Sequence, residues 1–354
     1  MSNLRIAIMG GWNTDSGASF HSEMIGRAFV ELGYKLDVFT FFGSSFHGTN
    51  ITGKDEDYVE RCFTVSGDKI QKLNAVPFIT KDYDYFIVED LGMLPNDLLA
   101  KIFHRIKGKA KVINVVHDYE LTQNPSFYQF EWDAIIAFDQ RYYNFLIKGY
   151  DKDKVNIIPY PAHQMKKGDK RAAREKLGIP QDKKIILTFG PAAALIAPLI
   201  PTIAKLKEEY PVKLLAVTKN NEALNMINAF KNAELMDIEI REEAPDIDHL
   251  YDYLYASDLL LINKSSERIV LSSTIYQCIG SGCPIVALNS TFTELYKESI
   301  IKFSDMEELI SGIKSVFDQG DKYKTLIKEA ENFVTENSSI VIAQKFIDLF
   351  KHLK

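Results

Sequence analysis

Short apolar runs alternate along the chain with longer segments whose apolar positions recur every three or four residues, the signature of βαβ units and parallel sheets. Buried strands are predicted over 4–9, 36–40, 85–88, 112–116, 134–137 and 155–158. Helices are predicted over 19–32, ended by Gly33, and over 95–107 and 139–148. The pattern then restarts. A charged helix over 170–177 is stopped by Gly178 and followed by a strand over 184–189, a helix over 196–209, a strand over 213–217, a helix over 222–230 and a strand over 238–242. Residues 163–170, HQMKKGDK, are polar and aperiodic, which sets a boundary between a first domain over 1–163 and a second over 170–337. The apolar positions Ile340, Val341, Ala343, Phe346, Ile347, Leu349 and Phe350 give a last helix over 338–353.

The densest local signal lies in 257–289. Leu259 to Ile262 form a buried strand, and the polar loop Lys264, Ser265, Ser266, Glu267, Arg268 follows where an open parallel sheet exposes its ligand-binding groups. Ser272, Ser273 and Thr274 then cap a helix, and a hydroxyl-rich helix start suits an anion. In the first half, Gly10 to Gly17 join a strand to a helix as GGWNTDSG, which allows close backbone approach to a phosphate or sugar but is not the dinucleotide fingerprint. His117 and Asp118 stand at another strand end. There His117 can donate to a sugar hydroxyl, and Asp118 either takes a proton or orients the ring, or else caps the next segment.

A chain of 354 residues, 46% of them hydrophobic, is expected to bury two cores. Its net charge of −6 argues against a nucleic-acid partner, which calls for a basic face. Three dispersed cysteines, Cys62, Cys278 and Cys283, form neither a disulfide framework nor a C-x-x-C motif, which fits a reducing cytoplasm. Neither a signal peptide nor a long apolar run is read. The basic cluster Lys101, Arg105, Lys107, Lys109 and Lys111 beside Leu98, Leu99, Ile102 and Phe103 fits a peripheral membrane contact as well as a solvated helix end.

Gly282, Cys283, Pro284, Ile285, Val286 and Ala287 resemble the G-x-P-V-V-A turn of GT-B glycosyltransferases of the group-1, retaining type. The opening 4–40 is similar to that family's first strand, glycine-rich loop and first helix, and VNIIPYP with REKLGIPQDKKIILTFG resembles its interdomain crossing. The resemblance implies an α/β GT-B fold, two Rossmann-like domains facing across a cleft, with the last helix crossing back to the first domain. It implies transfer of a sugar, with retention, from a nucleotide diphosphate sugar to a sugar, glycan, lipid-linked or small-molecule acceptor, without metal or cofactor where protein cations suffice. Donor contacts are then expected from Gly11, Ser16, Gly17, Gly190, Lys264, Arg268, Ser272, Ser273, Thr274 and Gln277, chemistry from His117, Asp118 and Glu267, and acceptor contacts from His21 and Trp132. The aromatic residues Phe39, Phe41, Phe42, Phe46, Phe127, Tyr128, Phe130, Tyr142 and Tyr143 place the acceptor search in 41–49 and 119–132.

Two departures from the family pattern stand out. The helix after Gly190 has no cation before Lys205, which leaves Lys264 and Arg268 to meet the diphosphate. Ile269 and Gln277 occupy the register of the E-x7-E carboxylates, so Glu267 is the nearest acidic candidate and Gln277 a neutral partner for a ribose hydroxyl. These departures keep two alternatives open, a catalytically silent GT-B partner subunit and a nucleotide-sugar epimerase or hydrolase.

Overall fold

The computed structural model describes residues 4–44, 48–268 and 270–353, so Phe46 and Ile269 lie outside the described residues. The chain forms two compact units, Met1–Pro161 with Asn337–Lys354, and Ala162–Glu336. Each is a doubly wound α/β unit around a parallel sheet.

In the first unit the strands are β1 (Arg5–Met9), β2 (Lys35–Phe41), β3 (Val59–Phe63), β4 (Tyr85–Glu89), β5 (Lys111–Val115), β6 (Ala134–Ala137) and β7 (Val155–Ile157), in the order β3-β2-β1-β4-β5-β6-β7. In the second they are β8 (Lys184–Phe189), β9 (Val212–Val217), β10 (Asp237–Arg241), β11 (Leu259–Ile262), β12 (Ile285–Leu288) and β13 (Ile301–Phe303), in the order β10-β9-β8-β11-β12-β13. Winding reverses between β1 and β4 in the one and between β8 and β11 in the other. Helices leave those two strands in opposite directions there and open a crevice at their carboxyl ends.

Local chemistry sets the boundaries. Ser16 caps the helix Gly17–Glu31 by accepting from the Ser19 N–H, and Asp169 caps Lys170–Leu177 by accepting from the Ala172 N–H. Gly178 and Gly282 end their helices at φ of 65° and 74°, conformations that cost a Cβ-bearing residue strain. Asp258 ties the root of β11 to β8: one carboxylate oxygen accepts from the Ile185 N–H at 2.7 Å and from the buried Arg174 guanidinium at 2.9 Å.

The single helix predicted over 196–209 is broken into 3-10 turns at Pro191–Leu199 and Ala204–Glu208 around a short Ile200–Ile203 helix. Pro191, Pro198 and Pro201 remove the N–H groups that a continuous α-helix would use. Strand β3 was not expected from the pattern; it lies at the sheet edge, where half-solvated VERCF carries no apolar run.

The last helix, Ser339–His352, packs on Gly17–Glu31 in the first unit. Phe350 stacks on Tyr85 at 4.1 Å and its carbonyl accepts from the Tyr85 hydroxyl at 2.7 Å, while Phe346 meets Phe29 edge-on. Among the described residues no helix is long and apolar enough to cross a membrane. In the helix Asn96–Lys107, Leu99, Ile102 and Phe103 are buried in the core, which leaves no broad apolar face beside the lysines. Lys109 is turned back onto the Ile79 carbonyl and the Tyr83 ring.

Candidate functional site

At the reversal point of the first unit, Gly10 ends β1 beside Glu89, the last residue of β4. A Cβ on Gly10 would stand 2.6 Å from the Glu89 Cβ, so only glycine leaves room for this carboxylate. Glu89 is fully buried and links two imidazoles, facing His21 Nδ1 at 3.0 Å with one oxygen and His117 Nε2 at 2.8 Å with the other. His21 comes from the helix Gly17–Glu31, and Phe138, Tyr160 and Phe346 enclose its ring.

Burial pushes the His21 pKa down to about 3 and also lowers that of His117; the Glu89 carboxyl is raised by the same cause. With both rings neutral and Glu89 ionised, each imidazole donates an N–H to the carboxylate. In that arrangement His117 Nδ1 carries a lone pair and has no protein partner among the described residues. His21 is expected at the acceptor, yet it is sealed inside and touches Glu89 instead, with its Nε2 unpartnered among the described residues.

Among the described residues, His21, Glu89 and His117 are also the one set close enough to share a metal ion, their ligand atoms lying within 4.8 Å of one another. As they stand these atoms are engaged in N–H···O bonds, longer than the roughly 2.0–2.2 Å of zinc coordination.

Two further carboxylates flank Glu89. Asp90 holds a left-handed backbone at φ 52°, and its Oδ1 and that of Asp118 both lie within 4 Å of the point a Gly92 Cβ would occupy. Burial and then the Glu89 charge lift Asp90 to about 6; burial and then the Asp90 charge lift Asp118 to about 6. A carboxyl whose native pKa lies above its ordinary 3.8 favours the folded state most below pH 3.8, and that contribution is lost as pH rises through about 6. Asp118→Asn should accordingly raise the melting temperature by roughly 2 °C at pH 7.5, corresponding to about 1 kcal/mol. The gain should vanish at pH 4, and an equal gain at both values in scanning calorimetry would refute the charge argument.

The loop Gly10–Gly17 is held mainly by its own protein. Trp12 is buried and donates to Glu56 at 2.8 Å, the Asn13 N–H donates to Glu23 at 2.9 Å and the Thr14 N–H to Ser19 Oγ at 3.1 Å. Gly11 admits the close approach of Ser19, whose Cβ would lie 3.0 Å from an added Cβ, and Ser16 is spent as the helix cap. Gly17 is exposed at the helix start. Trp132, expected at the acceptor, is 2% exposed and packed edge-on to Phe103, which puts its ring in the core. Of the aromatic candidates Phe42 and Tyr128 are exposed, whereas Phe39, Phe41, Phe130 and Tyr142 are buried.

In the second unit, Gly190 ends β8 at φ 70° with open space where a Cβ would stand, and the loop after β11 lies across the reversal point from it. Asn263 donates to the Leu195 carbonyl at 2.6 Å and so joins the two loops. Hydroxyls from beyond β12 pin the loop: Ser290 donates to the Lys264 carbonyl and Thr291 to that of Ser266. The Lys264 ammonium lies 4.6 Å over the Phe292 ring and has no carboxylate partner among the described residues; burial lowers its pKa. Arg268 and Glu267 are exposed nearby. Ser272 is buried and caps the helix Ser273–Cys278, while Ser273, Thr274 and Gln277 remain partly exposed. Sequence reasoning missed Glu89 and Asp90; an acidic pair ending an apolar strand was the available signal.

No protein-family model matches the sequence. Solved structures do match its fold across nearly the whole chain. Sucrose-phosphate synthase from Thermosynechococcus elongatus aligns at TM-score 0.69 and 13% identity, over 99% of each chain. Anabaena HepE in complex with UDP and glucose aligns at 0.68 and 15%, over 99% of this chain and 100% of that one. The pneumococcal O-GlcNAc transferase GtfA in complex with UDP and GlcNAc aligns at 0.67 and 11%, over 100% and 99%. Two Rossmann-like units with this strand order, aligned end to end with those proteins, give the chain the GT-B fold.

Proposed function

We propose that the chain is a glycosyltransferase that binds a nucleotide diphosphate sugar on Ala162–Glu336 and an acceptor on Met1–Pro161. The observation that carries this reading is Lys264, a cation with no protein counter-charge among the described residues, at the reversal point of the second sheet. As the sugar–phosphate bond breaks, negative charge grows on the leaving diphosphate, and a cation fixed there stabilises that growth. Arg268, Ser273 and Thr274 add donors around it, and Gly190 allows the nucleotide close to the backbone. His117, steadied by Glu89, accepts from a hydroxyl of the transferred sugar or the acceptor. Protein cations rather than a metal carry the diphosphate in this reading, with retention at the transferred carbon.

UDP is the first nucleotide to test, because HepE and GtfA carry it in their complexes. UDP should raise the melting temperature more than uridine does, and a UDP-hexose panel with mixed glycoside acceptors should give labelled product. The absence of any stabilisation by UDP, ADP or GDP and their sugars would overturn the donor reading. A second reading, a partner subunit that binds donor without turnover, is favoured by Gln277 in the place of a carboxylate; stabilisation without transfer would select it.

A further inference from the structure

Glu89 is a buried carboxylate with no lysine or arginine beside it. Asp90 and Asp118 add two more carboxyls to its surroundings, and among the described residues no lysine or arginine pairs with any of the three. The side chain of Glu89 meets two imidazoles instead, His21 at 3.0 Å and His117 at 2.8 Å. A charge held away from water is ordinarily paired with a cation or bound to a metal.

The groups around that charge are the donor set of a transition metal. His21 comes from the helix Gly17–Glu31, Glu89 ends β4 and His117 follows β5, and one ligand atom from each lies within 4.8 Å of the others. Two imidazoles and a carboxylate suit zinc and its neighbours, whereas magnesium and calcium take oxygen ligands. Tetrahedral zinc sets two nitrogens about 3.4 Å apart. The two nitrogens must therefore approach by no more than about 1.4 Å. The His117 side chain is 12% exposed, which gives an ion a way in, and the sealed His21 closes the inner side. The far nitrogen of His21 is an independent sign. Its Nε2 is buried without a hydrogen-bond partner among the described residues, on a ring enclosed by Phe138, Tyr160 and Phe346. While Nδ1 donates to Glu89, Nε2 holds an unused lone pair among aromatic rings. With Nδ1 on a metal, Nε2 carries the proton, and an N–H is what aromatic faces accept.

We propose that His21 Nδ1, His117 Nε2 and the Glu89 carboxylate bind one divalent transition-metal ion of the zinc type, and that its arrival turns His117 Nδ1 from an acceptor into a donor. Each ring keeps a single proton, which changes nitrogen: from Nδ1 to Nε2 on His21 and from Nε2 to Nδ1 on His117. Metal–ligand bonds form where two N–H···O bonds stood, and no proton is released overall. The ion controls sugar transfer and takes no part in it. That consequence rests on the transferase reading, whereas the binding of the ion does not.

The test strips the full chain with EDTA and titrates it with zinc chloride, and separately with magnesium chloride, at one fixed pH. One equivalent of zinc should survive desalting, and zinc but not magnesium should raise the melting temperature. Nitrogen-15 NMR should show His21 and His117 changing tautomer as zinc is added. His117→Ala and Glu89→Gln should each weaken zinc binding at least about a hundredfold, the upper end of what the loss of a mere supporting partner costs. Less than one equivalent of zinc, equal stabilisation by magnesium, affinity indifferent to both substitutions, or unmoved His21 and His117 signals would overturn the site. The NMR readout uses the parent protein, so a variant that fails to fold does not shelter the proposal. Zinc should also lower sugar transfer about a hundredfold at unchanged UDP affinity, as Glu89→Gln does, with EDTA restoring it. Undiminished transfer at full occupancy would overturn the control. UDP binding without zinc binding removes only the metal site, and zinc binding without stabilisation by any nucleotide removes only the transferase.

Discussion

Replacing Glu89 by glutamine is expected to lower the turnover of sugar transfer about a hundredfold while leaving UDP affinity unchanged. In its ionised form the carboxylate accepts from two imidazole N–H groups, His21 Nδ1 and His117 Nε2. A carboxamide of the same shape has one accepting oxygen and one donating nitrogen, so one of the two histidines must present a lone pair instead. His21 is fully buried among aromatic rings, whereas the His117 side chain is 12% exposed, so His117 is the ring expected to change tautomer. Its outward nitrogen then becomes a donor, and the hydrogen bond to the sugar hydroxyl reverses polarity. Nitrogen-15 NMR of the two rings reports the tautomer directly. Unchanged turnover, or lost turnover with the parent tautomers intact, would rule out this positioning role.

Lys264→Ala should weaken UDP binding tenfold to about a hundredfold and leave uridine binding unaffected, as measured by calorimetry. The range follows from the roughly 1.5–3 kcal/mol attached to a hydrogen bond with a charged group. Among the described residues no carboxylate is paired with Lys264, so none of them must be given up when the diphosphate arrives. Adding Arg268→Ala should deepen the loss. Equal weakening of UDP and uridine would mean that the lysine shapes the loop and does not meet phosphate.

The alternation of strands and helices, the Gly282 turn and the helix Lys170–Leu177 stopped by Gly178 were legible because each is written in contiguous residues: an apolar run, a spaced apolar face, a glycine that tolerates positive φ. The loop after β11 was legible for the same reason. Glu89 was not, because its meaning depends on histidines 68 and 28 positions away. As the last residue of β4 it carries no local sign of being sealed in. Trp132 shows the converse error: an aromatic residue near a candidate loop suggests a sugar platform, but whether its face is free is decided by Phe103, which the chain brings up from another helix. Prolines 198 and 201 were visible, yet the apolar spacing around them outweighed the missing N–H groups in the prediction of one long helix.

The packing of Ser339–His352 gives the chain an order of assembly. Phe346 closes on the His21 ring and Phe350 on Tyr85, so the wall around the buried Glu89 network is completed by residues synthesised after the whole of the second unit. A ribosome must therefore deliver the second unit in full before the unit that begins the chain can seal its own interior, and the emerging polypeptide carries an unfinished aromatic face throughout that interval.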